Sequence, residues 1–220
     1  MVRAPGRPGI GLPVDTGSSR PRYSLFMAGK TASSRVAARR RAAVEEILAA
    51  AWQLAGEHGL AGIALRELAG RLEMRPQSLA WYFPTKNVLY DAMHAQGHEE
   101  FLHVLDSATE RGPLDVRRAA HVFADFCLAS PPRYQLMTQR TVPGFIPSAS
   151  STVLARRAFG AWRAALAAAG VTDPDAVDVL TAVVKGVVDQ QVTADPAGDR
   201  YLRHLDMVID MFLAHPWPAP

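Results

Sequence analysis

A single cysteine, Cys127, occurs in 220 residues. No internal disulfide can form, and such sparing thiol use fits a reducing cytoplasm. No apolar run approaches the ~20 residues a bilayer-spanning helix requires, so a soluble protein with no membrane partner is expected. Arg3 and Arg7 are followed by proline and glycine rather than an apolar block, the wrong order for a secretory leader. Period-two alternation is missing, and so are internal repeats, which removes sheets and solenoids from consideration. No nucleophile–base set or carboxylate pair falls on a recognisable motif, so neither an enzyme nor a bound cofactor or metal is expected. Cys127 itself lies in the apolar stretch VFADFCLA and reads as an inert core thiol.

What remains is helical. The expected fold is all-α with about nine helices, set in three regions. Residues 1–34 are rich in Pro, Gly, Ser and Arg, lack an apolar period, and read as a disordered basic tail. Residues 35–90 read as a three-helix unit, and residues 91–220 as a second, larger helical domain. The first helix is expected over about Val36–His58, with Val44, Ile47, Leu48, Ala51 and Leu54 inward and Gly59 as its stop. Charge is uneven. Residues 1–41 carry nine Lys/Arg against one Asp, and residues 42–220 carry fifteen against twenty acids. A polyanion would be held at the front. Arg39, Arg40 and Arg41 lead the expected helix, where basic charge opposes the dipole, so a use beyond helix stability is expected of them.

The organising stretch is LRELAGRLEMRPQSLAWYFPTKNVL, Leu65 to Leu89. Leu65, Leu68, Ala69 and Leu72 form one apolar stripe at helical spacing, which Glu73–Met74–Arg75 interrupts. Pro76 suits the first turn of a new helix, because its missing N–H would be unpaired there anyway. That short helix runs to about Phe83, with Met74 and Leu79 able to face inward and Gln77, Ser78, Trp81 and Tyr82 left outside. Pro84–Thr85 ends it, and Thr85 can cap a helix from Lys86. Two short helices joined this way form the helix-turn-helix used to read a DNA major groove.

At these residues the chain resembles the tetracycline-repressor (TetR) family of transcriptional regulators. The resemblance rests on Leu68–Ala69, Glu73–Met74, Pro76–Gln77–Ser78–Leu79, Trp81–Tyr82–Phe83, Pro84–Thr85–Lys86 and Val88–Leu89, and covers about Arg41 to Met93. Ala64 stands where the family usually has a capping threonine or serine, Glu73 where it has a turn glycine, and Ala80 where it has a phosphate-contacting tyrosine. The resemblance implies a dimer that binds a pseudo-palindromic operator through the front third, with a ligand pocket behind. Gln77 and Ser78 are the candidates for base edges, and Pro76 and Trp81 for apolar contact with thymine methyls. Arg75, Tyr82, Lys86 and the Arg39–Arg41 cluster are the candidates for phosphates.

The rest of the chain supplies two further candidates. Phe101, Phe123, Phe126, Met137, Phe145, Phe159 and Trp162 are the expected wall of a pocket for a small apolar or amphipathic effector. The last two helices, about Asp173–Ala194 and Asp199–Ala214, carry more apolar surface than one core needs. This makes them a candidate dimer face through Ala182, Gly186, Tyr201, Leu205, Val208, Ile209 and Phe212; in the family such a pair forms a four-helix bundle with its mate. His94 and His98, one helical turn apart, read as a solvated or ligand-lining pair rather than a metal site. The sequence thus points to a dimeric, ligand-relieved repressor. A weakly specific DNA-binding protein without a ligand is the second reading, and a helical enzyme the third. Comparing operator with random DNA at fixed salt separates the first two.

Overall fold

The computed structural model describes residues 23–215, with side chains from Ser34 onward. Among the described residues there are nine α-helices and no strand. They are α1 (Tyr23–Gly62), α2 (Leu65–Arg71), α3 (Pro76–Tyr82), α4 (Lys86–Glu110), α5 (Val116–Leu128), α6 (Pro131–Thr138), α7 (Ala149–Ala168), α8 (Pro174–Ala194) and α9 (Leu205–Leu213), with a short 3₁₀ turn, Leu202–His204, before the last. The expected all-α class holds.

The chain divides into two units, residues 1–42 and 43–220. In the first, every side chain from Ser34 to Ala42 is exposed. Helix α1 starts at Tyr23 rather than near Val36. Residues 22–75 contain no proline, and alanine, leucine and arginine favour helix even where no apolar face is needed. The earlier start places Arg39, Arg40 and Arg41 well inside a helix, so no N-terminal dipole opposes them. The first part of the expected tail, residues 1–22, lies outside the described residues. Near its far end α1 breaks at Gly59, whose φ of 72° is one glycine accepts without strain.

In the second unit, three cores hold the helices. The first is built from Ile47, Leu48, Ala51 and Leu54 of α1, Leu68 and Ala69 of α2, Leu79 of α3, and Leu89, Tyr90 and Met93 of α4. Tyr90 fixes the end of α1 by donating its hydroxyl to the Leu60 carbonyl at 2.6 Å. Farther along α4, Phe101 and Leu105 join Phe126 and Ala158 in another core. A third joins α5, α8 and α9 through Ala124, Cys127, Leu180, Val184, Val188, Leu205 and Ile209. Burial pushes the Cys127 thiol far above its usual range, in keeping with an inert core position.

Helix starts follow local chemistry. Thr85, Asp115, Ser148 and Asp173 each accept a backbone N–H in the first turn of α4, α5, α7 and α8, and Pro174 occupies the first position of α8. The turn before α9 depends on one buried amide. Gln191, 0% exposed, donates to the carbonyls of Asp195 and Gly198 and accepts from Tyr201 N–H at 2.9 Å and Leu202 N–H at 3.1 Å. Its full hydrogen-bonding capacity is spent on joining α8 to α9.

Candidate nucleic-acid interface and internal cavity

Helix α2 ends in a pair of tight backbone bonds. Met74 N–H donates to Ala69 O at 2.8 Å, and Glu73 N–H donates to Gly70 O at 3.1 Å. This is the Schellman arrangement, which puts the residue after the cap in left-handed space. Here that residue is Glu73, with φ 53°, where glycine would sit without a Cβ penalty. At the other end of α2, Ala64 offers no side-chain cap. Glu73→Gly should therefore stabilise the fold by up to about 1 kcal/mol, net of the extra freedom glycine gives the unfolded chain. Ala64→Ser should add about 1 kcal/mol. Urea midpoints of the two single variants check both; a loss at Glu73→Gly would mean the glutamate side chain has a role the turn does not reveal.

Leu79 is buried beneath α3, while Arg75, Pro76, Gln77, Ser78, Ala80 and Trp81 stand exposed on it. Trp81 is 64% exposed, a large apolar surface left to solvent. Tyr82 departs from its expected outward position. It is half-buried against the first core, with the Trp81 ring edge-on at 4.9 Å. Lys86 is half-buried, donates to Ala61 O at 3.1 Å and lies 5.7 Å from the Tyr90 ring centre. One ammonium proton is thus engaged and two remain to point elsewhere. A pair the sequence did not single out steadies this unit: the two terminal guanidinium nitrogens of Arg71 donate to the two carboxylate oxygens of Glu57, each at 2.7 Å. The hydrogen bond from Arg71 holds the Glu57 carboxyl below its ordinary range. Arg39, Arg40 and Arg41 are exposed on α1.

Behind the first core lies a cavity of about 160 Å³ walled by α4, α5, α6, α7 and α8. Phe101, Phe123, Met137, Phe159 and Trp162 line it as expected. Two other candidates do not. Phe145 packs 5.7 Å from Tyr90 beside the first core. Phe126 packs tilted against Phe101 with ring centres 4.8 Å apart, has the Arg133 guanidinium 4.0 Å from its own ring centre, and fills core instead. Lys185 and Thr181, which no motif singles out, come to the wall from α8. The histidine pair divides. His94 is buried and its Nδ1 lies 2.5 Å from Ser151 Oγ, whereas His98 lines the cavity. Burial, and then the neighbouring His94 ring at 4.5 Å, hold His98 down to about 4, so it is neutral near pH 7. Among the described residues no three His, Cys, Asp or Glu side chains are grouped as a metal site would need.

Residues 47–93 match the model for bacterial regulatory proteins of the tetR family. That stretch carries the family's DNA-binding domain, with α2 and α3 as its helix-turn-helix. The match supports a DNA-binding transcriptional regulator. Solved structures with the same fold include a putative regulatory protein, SCO4313, 19% identical at TM-score 0.65, covering 80% of this chain and 95% of that one. A TetR family transcriptional regulator, PfmR from Thermus thermophilus, is 19% identical at TM-score 0.57, over 78% and 99%. A multidrug binding protein, EbrR, complexed with imidazole, is 24% identical at TM-score 0.54, over 80% and 96%. No curated protein matches the chain. Among the described residues no helix is long and apolar enough to cross a membrane.

The candidate dimer face needs redrawing. Leu205 and Ile209 are each 0% exposed in the core shared with α5 and α8. They are spent within the single chain and offer nothing to a partner. Tyr201, Val208 and Phe212 are half-buried, and Phe212 packs against the same core. Ala182 and Gly186 do face outward, together with Val179 on α8 and Met207 and Met211 on α9.

Proposed function

We propose that the protein is a dimeric repressor that leaves a pseudo-palindromic operator when a small apolar or amphipathic molecule enters the α4–α8 cavity. The observation that carries this reading is the double duty of α4. Tyr90 and Met93 on it are part of the core that seats α2 and α3, and His98, Phe101 and Leu105 on it line the cavity. The two sets are about two turns apart, roughly 12 Å along one rigid helix. A ligand that prefers a shifted α4 therefore moves the reading head, and its effect is bounded by its differential affinity for the two positions. Asp91 and His94 on the same helix meet the start of α7, through Ser148 N–H at 2.7 Å and Ser151 Oγ, so any shift of α4 must carry or break those contacts.

On α3, Gln77 and Ser78 are proposed for base edges, with Pro76 and Trp81 for apolar contact. Arg75, Lys86, the Tyr82 hydroxyl and the Arg39–Arg41 cluster are proposed for phosphates. Selection from random duplex DNA by the purified protein tests the reading, with enrichment of a two-fold site as the supporting result. Failure to enrich any sequence would leave only weakly specific DNA binding. On the selected site, Gln77→Ala should cost ~1–3 kcal/mol and little on random DNA. Neutralising Arg39, Arg40 and Arg41 should instead weaken all duplexes and flatten the salt dependence by ~0.9 for each phosphate no longer neutralised. Equal losses from Gln77→Ala on both kinds of DNA would remove it from base readout.

A further inference from the structure

The cavity's wall is almost entirely apolar, yet two polar groups in it stand unused. His98 is 7% exposed, and neither of its ring nitrogens has a hydrogen-bond partner. Lys185, half-buried, reaches the same cavity from α8, and none of the hydrogen bonds or ion pairs among the described residues involves it. The other polar side chains lining the space are already committed. Thr181 donates to Val177 O at 2.6 Å and accepts from Trp162 Nε1 at 2.8 Å, and Thr138 donates to Tyr134 O at 2.7 Å. No aspartate or glutamate lines the cavity. The closest acid along α8, Asp189, is occupied by the Tyr134 hydroxyl and the Gln139 amide.

Each of these facts restricts the occupant. An imidazole left unpaired in a buried place costs about 1–3 kcal/mol, so an occupant that brings a hydrogen-bonding oxygen is favoured over a pure hydrocarbon. A cation would face the Lys185 ammonium with no acid to offset the repulsion. The volume, about 160 Å³, is of the size that holds a single benzene-sized ring, and Phe101, Phe123, Phe159 and Trp162 supply faces and edges for one. We infer that the cavity takes a small organic carboxylate with a ring-sized apolar body, its acid group at the Lys185 ammonium and one of its oxygens at His98. This rests on the reading of the cavity as the effector site. The neutral state of His98 supports it, because a neutral ring keeps an N–H to donate without adding a buried charge.

Calorimetry on the full-length protein tests this with three probes of one shape: 3-phenylpropionate, 3-phenylpropionamide and the ammonium 3-phenylpropylamine. The carboxylate should bind at least about tenfold more tightly than the ammonium. Lys185→Met, which keeps the aliphatic stem, should erase the advantage of carboxylate over amide while leaving amide affinity in place. Lys185→Gln repeats the test should the methionine variant melt early. His98→Phe should weaken carboxylate and amide by the same factor. An ammonium that binds as well as the carboxylate, an unchanged carboxylate-to-amide ratio in both Lys185 variants, or no binding of any probe at millimolar concentration overturns the inference. Adding the selected operator separates it from the effector reading. Carboxylate binding that leaves the DNA complex intact upholds the cavity chemistry and defeats the effector role, whereas release by the ammonium alone does the reverse.

Discussion

Gly186→Arg is expected to turn the protein into a monomer and to weaken operator binding about a hundredfold or more. One recognition helix reads only a few base pairs, so a lone head has poor affinity. Two heads on a twofold axis read a pseudo-palindrome, and linking them makes the second contact intramolecular. The surface that can fix such an axis is apolar and outward. Val179 is 43% exposed, Met207 52% and Met211 67%, with Ala182 and Gly186 exposed on α8 between them in sequence. Val179, Ala182 and Gly186 fall at i, i+3 and i+7, one stripe of a helix. An isologous contact uses that stripe twice, so one substitution appears twice in the interface. Gly186 is the cleanest position to change, because nothing lies within 4 Å of where its Cβ would be. The single chain can accommodate an arginine there, whereas a second helix packed on it cannot. Met207→Glu with Met211→Glu makes the same test from α9. Light scattering gives the mass and a titration on the selected operator gives the affinity. A wild-type monomer at micromolar concentration that binds operator tightly would sink the dimer, and with it any mechanism that works by changing the spacing of two heads.

The redrawn dimer face marks where the sequence is legible and where it is not. Leu68, Leu79, Pro76, Thr85 and Asp173 can be read from it because their roles are set within one or two turns: a stripe at helical spacing, a first-turn proline, an oxygen next to free N–H groups. The strain at Glu73 is legible only through the family resemblance, which implies a glycine at that turn; the structure gives the glutamate there a φ of 53°. Leu205 and Ile209 are misplaced by periodicity, which identifies an apolar face and does not say what covers it. In this chain α5 and α8 do. Phe126 and Phe145 fail in the same way, being aromatic residues near the pocket in sequence that enter neighbouring cores in space. Lys185 carries no local sign at all. Its importance arises only where α8 meets α4 across a cavity, a relation between residues 87 positions apart that no window along the chain contains. The helical start at Tyr23 has a signal, the proline-free run, but the Pro- and Gly-rich composition upstream outweighs it.

Acidification from pH 7 to 5 should cost the fold about 2 kcal/mol through His98 alone. Its side chain is held neutral down to about 4 by burial and by the neighbouring His94 ring, whereas an unfolded histidine titrates near 6.5. Between those values the unfolded chain binds a proton that the folded chain refuses, so stability is full above the unfolded value and is lost as the pH falls toward 4. His94 is shifted the same way by its own burial, opposed in part by Asp91, and adds to the loss. The other charge at the cavity, the Lys185 ammonium on α8, disfavours a second positive charge near it. His98→Phe keeps an aromatic ring and removes the proton, so denaturant midpoints for this variant should shift less between pH 7 and pH 5 than those of the natural protein. The comparison stops at pH 5 because carboxylates begin to take up protons below it. An identical shift in both proteins would locate the proton uptake elsewhere and leave His98 an ordinary core side chain. A smaller shift in the variant would mean that the cavity excludes charge at His98 at the expense of acid stability, the condition under which a ligand oxygen can be received by a neutral ring.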